Sequence, residues 1–219
     1  MFPLSFSGAA EPLRRVLAIG CHADDIEIGC GGTLLSLTRA LPELDVTWLV
    51  LSASGERERE VRESAAAFLA EAGSSTLEVH SFRDGFLPYV GAEVKEVFKE
   101  LGERLDPQLV FTHTRDDLHQ DHRLASELTW NTFRNQLVLE FEVPKFDGDL
   151  GRPNAFFPLD AAVAAEKIVL LQRHFKSQAS KHWFDEETFR GLMRLRGMEA
   201  NAPERFAEAF MCRKLPLAP

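Results

Sequence analysis

The chain places a short apolar segment, Val16-Leu17-Ala18-Ile19-Gly20, directly before the polar segment Cys21-His22-Ala23-Asp24-Asp25. A short, continuous apolar run that ends in glycine is typical of a buried parallel strand. The same transition recurs at Leu109-Val110-Phe111-Thr112, which leads into a second polar segment that begins at His113. Both polar segments are therefore expected at the carboxyl ends of parallel strands, where open α/β sheets bind their ligands.

Strand-like and helix-like patterns alternate outward from the first of these segments. The predicted strands include Val46 to Leu51 and Leu77 to Phe82, and the predicted helices include Arg57 to Glu71, Glu93 to Leu105 and Ala161 to Gln172. This order predicts an α/β fold with a Rossmann-like, mostly parallel sheet flanked by helices on both faces. At ~100–200 residues per domain, we expect a single domain over residues 1–219, with its core in about 16–215.

Three regions are harder to assign from the pattern. Gly31-Gly32-Thr33 is predicted to open the first helix, after a polar loop that reaches Glu27. Pro144 to Pro158 is rich in Gly, Pro, Asp and Asn, and is predicted as a loop that shapes a substrate site, with an oligomer contact or a plain surface loop as the alternative. The last 40 or so residues are predicted to be irregular to helical.

The composition excludes several classes of protein. With 25 Lys and Arg against 34 Asp and Glu, the net charge is −9, which argues against a nucleic-acid-binding surface. The three cysteines, Cys21, Cys30 and Cys212, form an odd and sparse set that indicates reduced intracellular thiols. No apolar run approaches the ~18–20 residues of a membrane span, and the first six residues lack the features of a signal peptide. We expect a cytoplasmic protein that binds neither nucleic acid nor membrane.

The two polar segments carry residues with metal-binding chemistry. His22 and Asp25 are three residues apart in the first, and the second contains three of the seven histidines of the chain. A third ligand, either His119 or His122, would complete two imidazoles and one carboxylate, the ligand set of a catalytic zinc with one open position. The same set also suits Fe²⁺.

The remaining polar side chains suggest catalytic and positioning roles. Asp24 is placed to act as a general base beside the ligand Asp25, and the spare histidine, best assigned to His119, could stabilise an oxyanion or protonate a leaving amine. Asp117 and Asp121 are expected to orient the imidazoles. Taken singly, each segment also fits a structural role, as a helix N-terminus or a solvated first turn. Their joint occurrence at two strand ends favours a site.

The segment His22-Ala23-Asp24-Asp25-Ile26-Glu27-Ile28-Gly29, with His119-Gln120-Asp121-His122, resembles the PIG-L/LmbE-type de-N-acetylases. The resemblance covers about residues 16–215, and the two metal motifs together are specific. It implies that His22, Asp25 and His122 bind zinc, that Asp24 is the general base, and that His119 is the electrophilic or acid histidine.

The resemblance also implies further site residues. It makes Asp121 the carboxylate partner of His119, and it points to Arg59 as a substrate contact, with Arg57 or Arg62 as alternatives. Asp84, in the loop Asp84-Gly85-Phe86-Leu87, matches a loop of that family. Independently of the resemblance, Trp183 is the first choice among the three tryptophans for stacking on a sugar ring, because it alone lies outside a predicted regular element, with burial in the core as the alternative.

The expected function is that of a zinc-dependent amidohydrolase that removes an acetyl or small acyl group from the amide nitrogen of an amino sugar or its conjugate. Its partner would be that small-molecule substrate. Relatives are often homo-oligomers, and the sequence leaves the oligomeric state open. The alternatives are a metal-dependent hydrolase of another N-acyl or phosphoester substrate, with Asp116 and Asp117 bridging two metals, and a non-catalytic module that binds zinc or sugar.

Overall fold

A computed structural model describes Phe6 and residues 12–215 of the chain. The first five residues, on which the prediction of a cytoplasmic location partly depends, lie outside this part. The strands are β1 (Arg15–His22), β2 (Asp45–Ser52), β3 (Ser74–Val79), β4 (Leu109–His113), β5 (Leu137–Phe141), β6 (Ala155–Leu159) and β7 (Phe206–Cys212). The helices are α1 (Asp25–Ala40), α2 (Glu56–Phe68), α3 (Gly91–Arg104), α4 (Gln120–Thr132), α5 (Ala161–His174) and α6 (Glu186–Glu199).

The strands of the described chain form one sheet in the order β3-β2-β1-β4-β5-β7-β6. Strands β1 to β5 run parallel to one another, whereas β7 runs antiparallel to both β5 and β6. This confirms the predicted α/β fold with a mostly parallel sheet. None of the described helices combines the length and the apolar character that a membrane crossing requires.

Helices cover both faces of the sheet, as the continuous apolar strands require. Because side chains alternate along a strand, Val16 and Ala18 of β1 pack into one core layer with α1, α2 and α5. Leu17 and Ile19 pack into the opposite layer with α3 and α4. Burial on both faces explains why β1 reads as an unbroken apolar run rather than an alternating one.

Helix α1 begins at Asp25, earlier than the predicted start at Gly31, so its glycines lie inside the helix. A Cβ atom on Gly29 would lie 2.2 Å from Cδ2 of Phe141, and one on Gly31 would lie 2.6 Å from Cε1 of Phe68. The glycines therefore let α1 pack closely against neighbouring elements, which outweighs their low helix propensity.

The C-terminal region corrects two predictions. Strand β6 occupies the end of the predicted loop from Pro144 to Pro158, and β7 forms in the region expected to be irregular to helical. Pro158 is tolerated because β6 is an edge strand. In β7 the buried Glu208 interrupts the apolar pattern, and its charge is matched by Nζ of Lys167 at 2.6 Å.

Strands β1 and β4 are neighbours in the sheet, although β1 is followed in sequence by β2 on its other side. The strand order therefore reverses between β1 and β4, and a crevice forms at their carboxyl ends. Both polar segments singled out in the sequence begin at this crevice, at His22 and His113.

Candidate metal centre

The fold brings together three ligand atoms from opposite sides of the crevice. Nδ1 of His22 lies 3.1 Å from Nε2 of His122 and 3.4 Å from Oδ2 of Asp25. The third side of the triangle, from Nε2 of His122 to Oδ2 of Asp25, is 3.5 Å. Two ligands each ~2.05 Å from a tetrahedral zinc ion lie ~3.3 Å apart. The three atoms are therefore spaced as donors to a single ion.

Neighbouring carboxylates fix which ring nitrogen of each histidine is free. Nδ1 of His122 donates to Oδ2 of Asp117 at 2.9 Å, so Nε2 keeps its lone pair. Nε2 of His22 lies 2.9 Å from Oδ1 of Asp84 and 3.3 Å from Oδ2 of Asp121. Nδ1 is therefore the ring nitrogen that can offer a lone pair to a metal. Each free nitrogen faces the triangle, as metal ligation requires.

The electrostatics of His122 and Asp25 suit metal ligation, whereas the carboxylates around His22 favour its protonated form, whose proton a bound ion would have to displace. Burial, assisted by the charge of His113, lowers the pKa of His122 to about 4, so its imidazole is neutral near pH 7. Burial alone would raise the pKa of Asp25, but His122 and His113 hold it well below its ordinary value. Burial lowers the pKa of His22, but hydrogen bonds to Asp121 and Asp25 outweigh it and raise that pKa.

Asp24 lies directly before α1 with one carboxylate oxygen held and the other free. Its φ of 155° is uncommon for a residue other than glycine, and such backbone strain is concentrated at functional sites. Oδ1 accepts a hydrogen bond from Nη2 of Arg57 at 2.8 Å. Oδ2 is buried and has no hydrogen-bond partner among the described residues. Burial raises the pKa of Asp24 to about 7, against the opposing charge of Arg57.

Arg57, which the sequence analysis gave as an alternative to Arg59 for a substrate contact, lies beside Asp24. Its Nη1 donates to Oε2 of Glu60 at 3.0 Å and to Oγ of Ser177 at 3.3 Å, and its Nη2 also donates to the carbonyl of Ala23. The side chain of Arg59 is 66% exposed and pairs with Glu56. The structure therefore does not bring Arg59 to the cluster.

His119 presents one ring nitrogen toward the crevice. Its Nδ1 accepts a hydrogen bond from the backbone N–H of Asp121 at 3.2 Å, which makes His119 the N-cap of α4. The neutral ring therefore carries its proton on Nε2 and can donate it. Burial and the charge of His22 both lower the pKa of His119, which favours this neutral form.

Asp121 contacts other groups than the sequence analysis expected. Its carboxylate accepts hydrogen bonds from the backbone N–H groups of Gly85 at 2.7 Å and Leu87 at 3.1 Å, and it faces His22 rather than the ring of His119. The contact with the loop after β3 also brings in Asp84. Ligand atoms of His22, Asp84, His119 and Asp121 lie within 4.8 Å of one another.

Two residues of the cluster were not assigned a role from the sequence. The ring of His113 is buried, stacks on His122 with centroids 3.8 Å apart, and lies 3.2 Å from Oδ2 of Asp25. Its place at the end of β4 was the available signal. Lys145 reaches in from the loop after β5, with Nζ 2.9 Å from Oδ1 of Asp117. Nothing in the local pattern around Lys145 indicates this contact.

The remaining sequence-based assignments fall outside the cluster. Trp183 is half-buried and packs edge-on against Phe184, with ring centroids 5.7 Å apart. Asp116 is 83% exposed, so it is not placed to bridge two metals with Asp117. The described residues thus offer the ligand triangle of His22, Asp25 and His122 within a larger cluster of potential ligands, flanked by a carboxylate with a free oxygen and by an imidazole N–H donor.

Comparison with known proteins relates this geometry to a family. A family model described as "PIG-L: GlcNAc-PI de-N-acetylase" matches residues 17–133, which include both polar segments.

Solved structures with the same fold carry different descriptions. A conserved protein, TT1542, from Thermus thermophilus is 22% identical, with 93% of this chain and 96% of that chain covered at a TM-score of 0.73. The N,N′-diacetylchitobiose deacetylase from Pyrococcus horikoshii is 18% identical, with 95% of this chain and 86% of that chain covered at a TM-score of 0.70. GalB, the 4-carboxy-2-hydroxymuconate hydratase from Pseudomonas putida, is 17% identical, with 94% of this chain and 99% of that chain covered at a TM-score of 0.74. These likenesses show the fold alone.

Proposed function

Since the chain belongs to the PIG-L family of de-N-acetylases, we propose that it is a metal-dependent hydrolase acting on an N-acylated amino sugar or its conjugate. The reaction removes an acetyl or small acyl group from the amide nitrogen. The observation that carries the proposal is the free, buried Oδ2 of Asp24 beside the triangle of His22, Asp25 and His122. A purely structural metal site would need no unpaired carboxylate next to it.

The proposed ligands are His22, Asp25 and His122, and the proposed ion is zinc, with Fe²⁺ compatible with the same donors. When bound, such an ion polarises the amide carbonyl and lowers the pKa of water. Asp117 supports the site by holding the proton of His122 on Nδ1, away from the ligand atom.

The protein's own groups then divide the proton transfers. Oδ2 of Asp24 accepts a proton from the attacking water, while Arg57 fixes the carboxylate through Oδ1. Nε2–H of His119 donates a hydrogen bond to the substrate oxygen as its negative charge develops. As the carbon–nitrogen bond breaks, the proton taken up by Asp24 is delivered to the leaving nitrogen, which departs as the amine.

The test is amine release from N-acetylglucosamine and its conjugates, measured together with metal content. Asp24→Asn should lower turnover by ~100- to 10,000-fold and leave bound metal unchanged. Asp106→Asn, at a side chain that is 82% exposed, is the matched control. Near-normal activity of the Asp24 variant would show that Asp24 is not the general base. A folded, metal-loaded protein that releases no amine from any of these sugars would remove the proposed reaction.

A further inference from the structure

The ammonium group of Lys145 lies between two buried carboxylates at the edge of the candidate metal centre. Its Nζ is 2.9 Å from Oδ1 of Asp117 and 2.5 Å from Oδ2 of Asp149. The three side chains are 9%, 1% and 6% exposed, in that order. Because desolvation offsets much of the attraction between buried charges, such a group is by itself weak evidence for stability. The proposed reaction does not use Lys145, so its burial beside Asp117 requires another explanation.

Asp117 is held through both of its carboxylate oxygens. Oδ2 accepts a hydrogen bond from Nδ1 of His122 at 2.9 Å. Oδ1 accepts a hydrogen bond from the backbone N–H of His119 at 2.7 Å, and it is also the oxygen that faces Lys145. A rotation of the carboxylate would break the contacts of both oxygens together. The cation beside Oδ1 therefore helps to fix the direction in which Oδ2 meets His122.

Lys145 is itself anchored, and this anchoring joins two loops. Lys145 follows β5, and Asp149, which holds it, lies four positions later in the same loop. Oδ2 of Asp149 also accepts a hydrogen bond from the backbone N–H of Leu118 at 2.7 Å, next to Asp117 in the loop after β4. A buried ammonium that is paired with two carboxylates is not free to transfer a proton to a substrate. These contacts suit a positioning residue rather than a catalytic one.

We infer that Lys145 is a positioning residue of the metal centre, which acts on the proposed ligand His122 through Asp117. The inference rests on the proposed function for the identity of that ligand. Lys145 has two opposing effects on a bound cation. Its positive charge repels the ion, whereas its hold on Asp117 keeps Nε2 of His122 directed at the other ligand atoms. The second effect is the larger one, because two carboxylates already neutralise the ammonium.

Zinc affinity, measured by chelator competition, decides between the two effects. Lys145→Met should weaken binding by ~10-fold, the lower end of the range for residues that support a metal ligand. Lys145→Arg keeps the positive charge and should recover part of that loss. Lys99→Met, at an exposed pair with Glu96 on α3, is the control and should leave the affinity unchanged. Binding by Lys145→Met that equals or exceeds that of the unmodified protein would overturn the inference.

A double-mutant cycle tests the route through Asp117. If Lys145 acts through this carboxylate, its effect disappears once Asp117 is replaced. Asp117→Asn/Lys145→Met should therefore bind zinc within about 2-fold of Asp117→Asn alone. Independent effects would add, giving a further loss of ~10-fold in the double variant. That result would contradict the inference, because it would place the action of Lys145 elsewhere.

The ring of His122 supplies a readout that needs neither turnover nor metal. In the metal-free protein, the nitrogen NMR resonances of the ring report the proton on Nδ1. Lys145→Met should shift these resonances, whereas Lys99→Met should not. Lys145→Met leaves Asp149 without its counter-charge, so Lys145→Met/Asp149→Asn replaces it in both measurements if the single variant does not fold. The same loss of zinc affinity and the same shift are expected.

The outcomes separate this inference from the proposed function. If Lys145→Met weakens zinc binding and shifts the resonances of His122, but no sugar releases amine, the proposed reaction fails and the role of Lys145 stands. If amine is released while Lys145→Met leaves both the affinity and the resonances unchanged, the inference fails and the proposed reaction stands.

Discussion

Nη2 of Arg57 lies 2.8 Å from Oδ1 of Asp24, whereas Oδ2 of the same carboxylate is buried without a partner among the described residues. One oxygen is thus fixed by a cation that Glu60 and Ser177 hold in place. The other oxygen is left to meet the substrate or a water molecule. This division explains how a single carboxylate can be both oriented and chemically available.

Arg57→Gln should lower kcat/KM by ~10- to 100-fold, because a misoriented base loses its alignment with the reacting atoms. Metal content should not change, since Arg57 contacts none of the three proposed ligands in the described structure. The measurement is steady-state amine release with metal analysis. Arg59→Gln, at an exposed arginine two residues away, is expected to stay within about 2-fold of the unmodified protein. A larger loss for Arg59 than for Arg57 would reverse this assignment.

Asp117→Asn should weaken zinc affinity by ~10- to 100-fold, because the carboxylate that orients a ligating histidine is lost. The amide no longer draws the proton of His122 to Nδ1 with a full negative charge. Chelator competition measures the affinity directly. Asp116→Asn is the neighbouring control, with a side chain that is 83% exposed. Equal affinities in the two variants would show that Asp117 does not support the metal site.

Lys167→Met should reduce the free energy of unfolding by ~3–5 kcal/mol, because it leaves the carboxylate of Glu208 buried without a counter-charge. Both side chains are only 3% exposed. The double variant Lys167→Met/Glu208→Gln should recover part of the loss, and denaturant titration measures both. Lys99→Met, at an exposed pair with Glu96, should cause no measurable change. A loss in Lys167→Met as small as this control would contradict the prediction.

Gly29→Ala should destabilise the protein by ~1–3 kcal/mol, the usual effect of overpacking a filled site. The added Cβ would meet the ring of Phe141, so α1 or the ring must shift. Gly191→Ala is the opposite case, because a Cβ at that helical position would meet no heavy atom within 4 Å beyond its chain neighbours and the backbone of its own helix. There, alanine should stabilise by ~0.5–1 kcal/mol through helix propensity. Thermal unfolding of the pair distinguishes packing from propensity, and equal shifts in Tm would contradict this account.

The parts of the fold and site that follow from local pattern were predictable. Apolar runs indicated the central strands, and polar segments directly after β1 and β4 had to meet at one edge of a parallel sheet. The choice of Arg57 rather than Arg59 as the arginine near Asp24 could also have been predicted from the sequence. Glu60, Val61 and Ser64 form the buried face of α2, and helical spacing places Arg57 on that face and Arg59 away from it.

Other features depend on contacts between distant segments, which local pattern does not reveal. The early start of α1 requires knowing that Phe141 and Phe68 pack against its glycines. Strand β7 contains a buried Glu208, whose charge is matched by the distant Lys167 and whose oxygens accept hydrogen bonds from Gly32 and Thr33. Likewise, the carboxylate of Asp121 accepts hydrogen bonds from Gly85 and Leu87, 36 and 34 positions earlier in the chain, a contact that depends on tertiary arrangement.

Glu208 has a consequence for how the protein is made. Its carboxylate accepts hydrogen bonds from the N–H groups of Gly32 and Thr33, 176 and 175 positions earlier in the chain. Those residues belong to α1, the helix that opens with Asp25. During synthesis, the ribosome must therefore deliver nearly all of the described polypeptide before this particular contact of α1 can form. We therefore expect metal binding at the proposed ligands to be a late event of folding, which nascent chains stalled ahead of residue 208 should fail to complete.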